Sequence, residues 1–135
     1  MKLRLLYLLV LLVICFSIVL VPGCSSQLNE DGITENVLKA LDGNDYNKYC
    51  NSFYEELRPD LQSETDFNAD VALIKDLYGD YDENSLEFWK TETEDSNTLR
   101  YYKAKYSKNP EVIVKAVFKD MDGKIELFGF WFVQE

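Results

Sequence analysis

The spacing of apolar residues changes period once along this chain, and that change limits the fold more than any other feature. Up to Tyr78 apolar side chains recur three and four residues apart, and from Leu86 onward they recur every second residue. Ile33, Val37, Leu38 and Leu41 share one helical face, with Asp31 or Gly32 as the cap and a left-handed Gly43 as the end. Asn44 caps a second helix in which Tyr46, Tyr49, Cys50 and Phe53 fall at i, i+3, i+4 and i+7. It has to stop by Arg58, because Pro59 disfavours helix at the residue before it. A polar linker covers 59–65. Thr65 or Asp66 then opens a third helix with Phe67, Val71, Ile74, Leu77 and Tyr78 inward and Gly79 at its close. Four strands follow: 86–93, 98–106, a third in which Val112, Val114, Ala116 and Phe118 alternate with Ile113, Lys115, Val117 and Lys119, and 125–133. Asn109-Pro110 and Asp122-Gly123 supply turns. Helices first and an antiparallel meander afterwards define an α+β fold, with N-terminal helices packed on a four-stranded antiparallel sheet. In the fourth strand Leu127, Gly129 and Trp131 face one way and Phe128, Phe130 and Phe132 the other. With both faces apolar, it is either covered twice or lines a pocket or a partner.

Ahead of this domain, Lys2 and Arg4 precede an apolar stretch from Leu5 to Val21, broken only by Ser17 and followed by Pro22-Gly23-Cys24-Ser25-Ser26. A positive start, an apolar run and a small residue before a cut describe a secretory signal. Val21, Gly23 and Cys24 make it resemble a prokaryotic lipoprotein signal. That resemblance implies cleavage between Gly23 and Cys24 and a diacylglycerol on the Cys24 thiol. The expected division is then a signal at 1–23, a lipidated tether at 24–31 and one domain at 32–135. The alternative is a retained anchor helix. At 1.5 Å per residue, however, the 17-residue run reaches only about 25 Å of a bilayer core of about 30 Å. Either way Lys2 and Arg4 stay inside, and the domain is expected on the extracytoplasmic face of the cell membrane.

Charge and composition remove whole classes of function. The chain has no histidine, which excludes Ser-His-Asp and Cys-His nucleophiles, His-ligated zinc or haem, and an imidazole proton shuttle. Lys plus Arg number 14 and Asp plus Glu number 24; losing Lys2 and Arg4 with the leader leaves 12 against 24, a net charge of −12. Such a chain is not expected to bind nucleic acid. It is repelled by anionic lipid headgroups, so a covalent anchor suits it. Cys15 departs with the leader and Cys24 is acylated, so Cys50 is left without a disulfide partner and is read as a buried, inert thiol.

Two acidic loops invite a calcium reading, and both fail. With Asp80, Asp82 and Asn84 at loop positions 1, 3 and 5, position 6 is Ser85 and position 12 is Thr91. With Asp120 and Asp122 at positions 3 and 5, Phe118 and Gly129 occupy the first and last. No metal or cofactor is therefore expected. Arg100, Lys103, Lys105 and Lys108 form the basic stretch, and Glu92, Glu94 and Asp95 on the preceding strand are expected to pair with it across the strands.

The order of helix, Leu41-Asp42-Gly43-Asn44-Asp45-Tyr46, helix, a helix ending Leu77-Tyr78-Gly79-Asp80-Tyr81, and four strands resembles the nuclear transport factor 2-like superfamily. The small secreted and lipoprotein domains of unknown function within it are the nearest likeness. The closing Gly-Lys-Ile-Glu-Leu-Phe-Gly-Phe strand belongs to the same pattern, which spans about residues 33–133. The resemblance implies a cone-shaped fold, a curved four-stranded sheet wrapping a long helix with a cleft at its open end, and for many members dimerisation through the sheet. Tyr46, Tyr49, Tyr78, Tyr102, Tyr106 and Trp131 are the candidate cleft lining. No catalytic residue is assigned. The expected function is a non-catalytic module that binds a small apolar ligand or an envelope protein. The alternative is an isomerase- or dehydratase-like enzyme using a carboxylate in the cone.

Overall fold

The computed structural model of the protein describes residues 29–134. The expected leader, Cys24 and most of the tether lie outside the described residues. Helix α1 (Glu30–Asp42) leads into a short α2 (Tyr46–Asn51), a 3-10 helix (Glu55–Asp60) and α3 (Glu64–Tyr78). Four strands follow, β1 (Glu87–Glu94), β2 (Asn97–Tyr106), β3 (Asn109–Met121) and β4 (Lys124–Val133), paired antiparallel in the order β1-β2-β3-β4. The α+β layering is as expected. Among the described residues no helix is long and apolar enough to cross a membrane.

Helices α1 and α3 start earlier than the sequence suggested and α2 starts one residue later, because several residues compete for each cap. Asn29 accepts the amide N–H of Gly32, Asp45 that of Lys48, and Ser63 that of Asp66. Glu30 and Asp31, expected in the tether, therefore form the first turn of α1, where their charge suits the helix dipole. The left-handed residue after α1 is Asn44, with φ 53°, and Gly43 stays right-handed at −82°. Helix α2 stops at Asn51, well before Arg58. Phe53 instead makes a parallel bridge to Leu127 and Tyr54 donates its amide to the Leu127 carbonyl, so this segment runs along the outer edge of β4. Pro59 sits inside the 3-10 helix that follows. The Asn109-Pro110 turn is also displaced: Asn109 pairs with Tyr106, and the turn is made by Ser107 and Lys108. At Asp122-Gly123 both φ angles are positive, 57° and 86°, as a tight type I′ hairpin requires.

The core lies between the helices and the inner face of the sheet. Val37, Leu38 and Leu41 of α1 and Phe67 and Val71 of α3 meet Tyr102, Ala104, Val114, Ala116, Phe118 and Leu127. Cys50 is half-buried and free, so the expected buried thiol is not found.

The two apolar faces of β4 are resolved by a bulge. Val117 pairs with Gly129 and Phe118 with Leu127, which leaves Phe128 unpaired and reverses the alternation. Ile125 and Leu127 point inward before it, and Phe130 and Phe132 point inward after it. Leu127 and Trp131 thus lie on opposite faces, contrary to strict alternation. Trp131 crosses the outer face over Gly129, where an added Cβ would overlap the indole ring, and Lys115 sits 4.8 Å from that ring's centre. Gly129→Ala should therefore displace the half-exposed Trp131 ring. The cost should be below about 1 kcal/mol, since the ring can swing into solvent. Emission of Trp131 in a Trp89→Phe background should shift to the red, and an unchanged spectrum would contradict this packing.

Candidate functional site

The acidic residues of α1 that face the sheet are fastening points. Asp31, Glu35 and Asp42 are spaced i, i+4 and i+11, which puts them on one side of the helix. Asp31 accepts the Tyr102 hydroxyl at 2.9 Å and the Arg100 guanidinium at 3.1 Å. Glu35 accepts the Tyr81 hydroxyl at 2.6 Å and the Asn84 amide at 2.9 Å. Asp42 accepts the Lys75 ammonium at 2.9 Å and the Tyr81 amide at 3.0 Å. Burial first, and then these carboxylate partners, hold the Tyr81 and Tyr102 hydroxyls far above the ordinary tyrosine range. A phenol so held donates a hydrogen bond and keeps its proton. The two tyrosine–carboxylate pairs thus have the composition of an acid–base pair, but their oxygens are committed to the fold.

The basic stretch is dispersed by the same fastening. Arg100 turns inward to Asp31 and Glu30 and lies 4.5 Å from the centre of the Phe88 ring. Lys103 pairs with Glu111 on β3, and Lys108 donates to the Asp76 carbonyl at the end of α3. On the neighbouring strand Glu92 is met by Lys90 and Tyr101. The expected pairing of Arg100, Lys103, Lys105 and Lys108 with Glu92, Glu94 and Asp95 is not among the ion pairs of the described residues.

A groove remains between the second half of α3 and β4. Phe67 and Val71 are buried, but Leu77, expected inward, is 48% exposed, and Leu73 is 56% exposed. The groove has a volume of about 240 Å³. Buried or half-buried Leu41, Tyr49, Gln62, Ile74, Tyr78, Phe130 and Phe132 line it, and Asp70, Leu73, Leu77, Trp131 and Gln134 are its exposed members. Tyr78 stacks on Phe132 with ring centres 5.7 Å apart, and Phe130 meets Phe132 edge-on at 5.7 Å. Tyr49 packs at 5.0 Å on both Phe53 and Phe67. Burial, helped by Cys50 and Asp70, pushes the Tyr49 hydroxyl up to about 12. A larger concavity next to the groove, about 650 Å³, shares Leu77, Tyr78 and Gln134 and carries Lys108 and Glu111.

Of the candidate lining residues, Tyr49, Tyr78 and Trp131 border this groove. Tyr46 lies apart and donates its hydroxyl to the Gln62 carbonyl. Tyr102 is fully buried against α1, and Tyr106 is buried among Tyr78, Tyr81 and Phe132. Leu73, Asp70, Gln62 and Gln134 were missed. The two apolar faces of β4 were the available signal for Phe130 and Phe132. Among the described residues no group of three or more Cys, Asp or Glu is placed to hold a metal ion. Compared with protein-family models and with curated proteins, the chain matches none.

Proposed function

We propose that this protein is a lipid-tethered, non-catalytic binding module on the extracytoplasmic face of a cell membrane, and that the groove between α3 and β4 receives a small apolar ligand. The observation that carries this reading is the pair of leucines, Leu73 and Leu77, left in solvent over an aromatic floor. Helices followed by a four-stranded meander, with the parallel bridge from Phe53 to Leu127, support reading the domain as a nuclear transport factor 2-like cone whose open end is the groove. The enzyme alternative has less support. Asp31 and Glu35, the carboxylates facing tyrosines, are occupied, and Asp70, the carboxylate that borders the groove, is exposed to water.

A neutral apolar dye such as N-phenyl-1-naphthylamine should bind saturably and brighten. Leu73→Glu should weaken that binding at least about tenfold, since a charge replaces about 1.5 kcal/mol of apolar contact. The change should leave the fold intact, because Leu73 is mostly exposed. Dye binding that does not saturate, or that is indifferent to Leu73→Glu, counts against the groove.

A further inference from the structure

We infer that the groove between α3 and β4 selects a small organic cation, an ammonium carried on a compact apolar body. This rests on the groove being a ligand site and adds the charge of the ligand. Among the described residues Asp70 is the only acidic or basic side chain in the lining. The nearby cations have partners of their own: Lys75 is held by Asp42 and Asp80, Lys108 by the carbonyls of Lys75 and Asp76, and Lys115 lies over the Trp131 ring on the outer face of the sheet. The inner lining supplies the rings of Tyr49, Tyr78, Phe130 and Phe132, and an aromatic ring offers its negative face to a cation. A carboxylate at the mouth of an aromatic groove attracts an ammonium and repels an anion, while a neutral molecule gains only the apolar contact. The whole domain adds to this bias, since a net charge of −12 without the leader draws cations to its surface. The volume of about 240 Å³ lies below the usual range for drug-sized ligands and suits a compact ammonium.

The test compares three probes of one shape: benzyltrimethylammonium, its neutral isostere neopentylbenzene, and benzylsulfonate as the anion. Binding is measured by equilibrium dialysis against the full-length protein in nanodiscs of an uncharged galactolipid, with empty discs as the blank. The cation should bind about tenfold tighter than the neutral isostere, with the sulfonate weakest, and added salt should narrow the gap. Asp70→Asn, at an exposed position, should weaken the cation about threefold and leave the neutral probe unchanged. If the neutral isostere binds as tightly as the cation, the charge selectivity is wrong while the groove stands as an apolar site; if Asp70→Asn leaves the preference intact, the assignment of that selectivity to Asp70 is wrong. If none of the three binds, both the selectivity and the ligand site fail.

Discussion

Between about pH 10 and pH 12 the domain is expected to lose most of its stability in one cooperative step, with ionisation of its interior tyrosines coinciding with unfolding. Tyr49, Tyr81, Tyr102 and Tyr106 all hold their protons above the ordinary value of 10.0. Burial is the largest cause in each. Glu35 adds to it at Tyr81, Asp31 at Tyr102 and Asp42 at Tyr106. The folded value lies above the unfolded one, so the stabilisation is complete below pH 10. It is lost as pH rises towards the folded values, because the unfolded chain releases its protons first. Each such tyrosine removes up to about 1.4 kcal/mol per pH unit, so four together approach about 5 kcal/mol per unit, against a typical domain stability of about 5–15 kcal/mol. Lys75, raised by its bonds to Asp42 and Asp80, acts in the same direction. Tyrosinate absorbance and circular dichroism should therefore change together. Ionisation of all eight tyrosines of the domain near pH 10 with the fold retained would contradict the buried hydroxyl network.

Two substitutions on α3 should differ by an order of magnitude in cost. Phe67 is fully buried and its ring meets Tyr46 at 5.5 Å and Tyr49 at 5.0 Å. Phe67→Ala should remove about 3–5 kcal/mol and lower the melting temperature by more than about 10 °C. Leu73, on the same helix, borders the groove and faces water, so Leu73→Ala should cost within about 0.5 kcal/mol. Thermal or urea unfolding of the two variants beside the parent measures both. Equal losses would mean that the second half of α3 is packed and that the groove is closed.

The contrast between Phe67 and Leu73 also marks what the sequence could convey. Its change of period placed three helices and four strands, and the run Val112, Val114, Ala116, Phe118 is the inner face of β3 as its alternation implied. Asp122-Gly123 carried its hairpin because a tight turn needs two residues that tolerate positive φ, a local demand. The caps slipped by one to three residues where Asn29, Asp45 and Ser63 had eligible neighbours. The bulge at Phe128 depends on which residue of β3 lies opposite, and alternation along one strand does not contain that information. Phe53 satisfied the helical spacing of α2, yet its pairing with Leu127 decides its conformation. The groove was hidden for a related reason. The apolar stripe of α3 indicates which side of the helix faces the protein, but tertiary packing decides that Leu77 is left uncovered. Tyr46, Tyr102 and Tyr106 carry the same side chain as Tyr49 and Tyr78, and only tertiary contacts separate those that border the groove from those that fasten the core.

The proposal that this groove works outside the cell on a lipid tether is tested most directly by labelling cells with radioactive palmitate while they produce the full-length protein or its Cys24→Ala variant. Label on the parent in the membrane fraction, with none on the variant, is the predicted result. An unlabelled parent that keeps its leader and stays in the cytosol would contradict it.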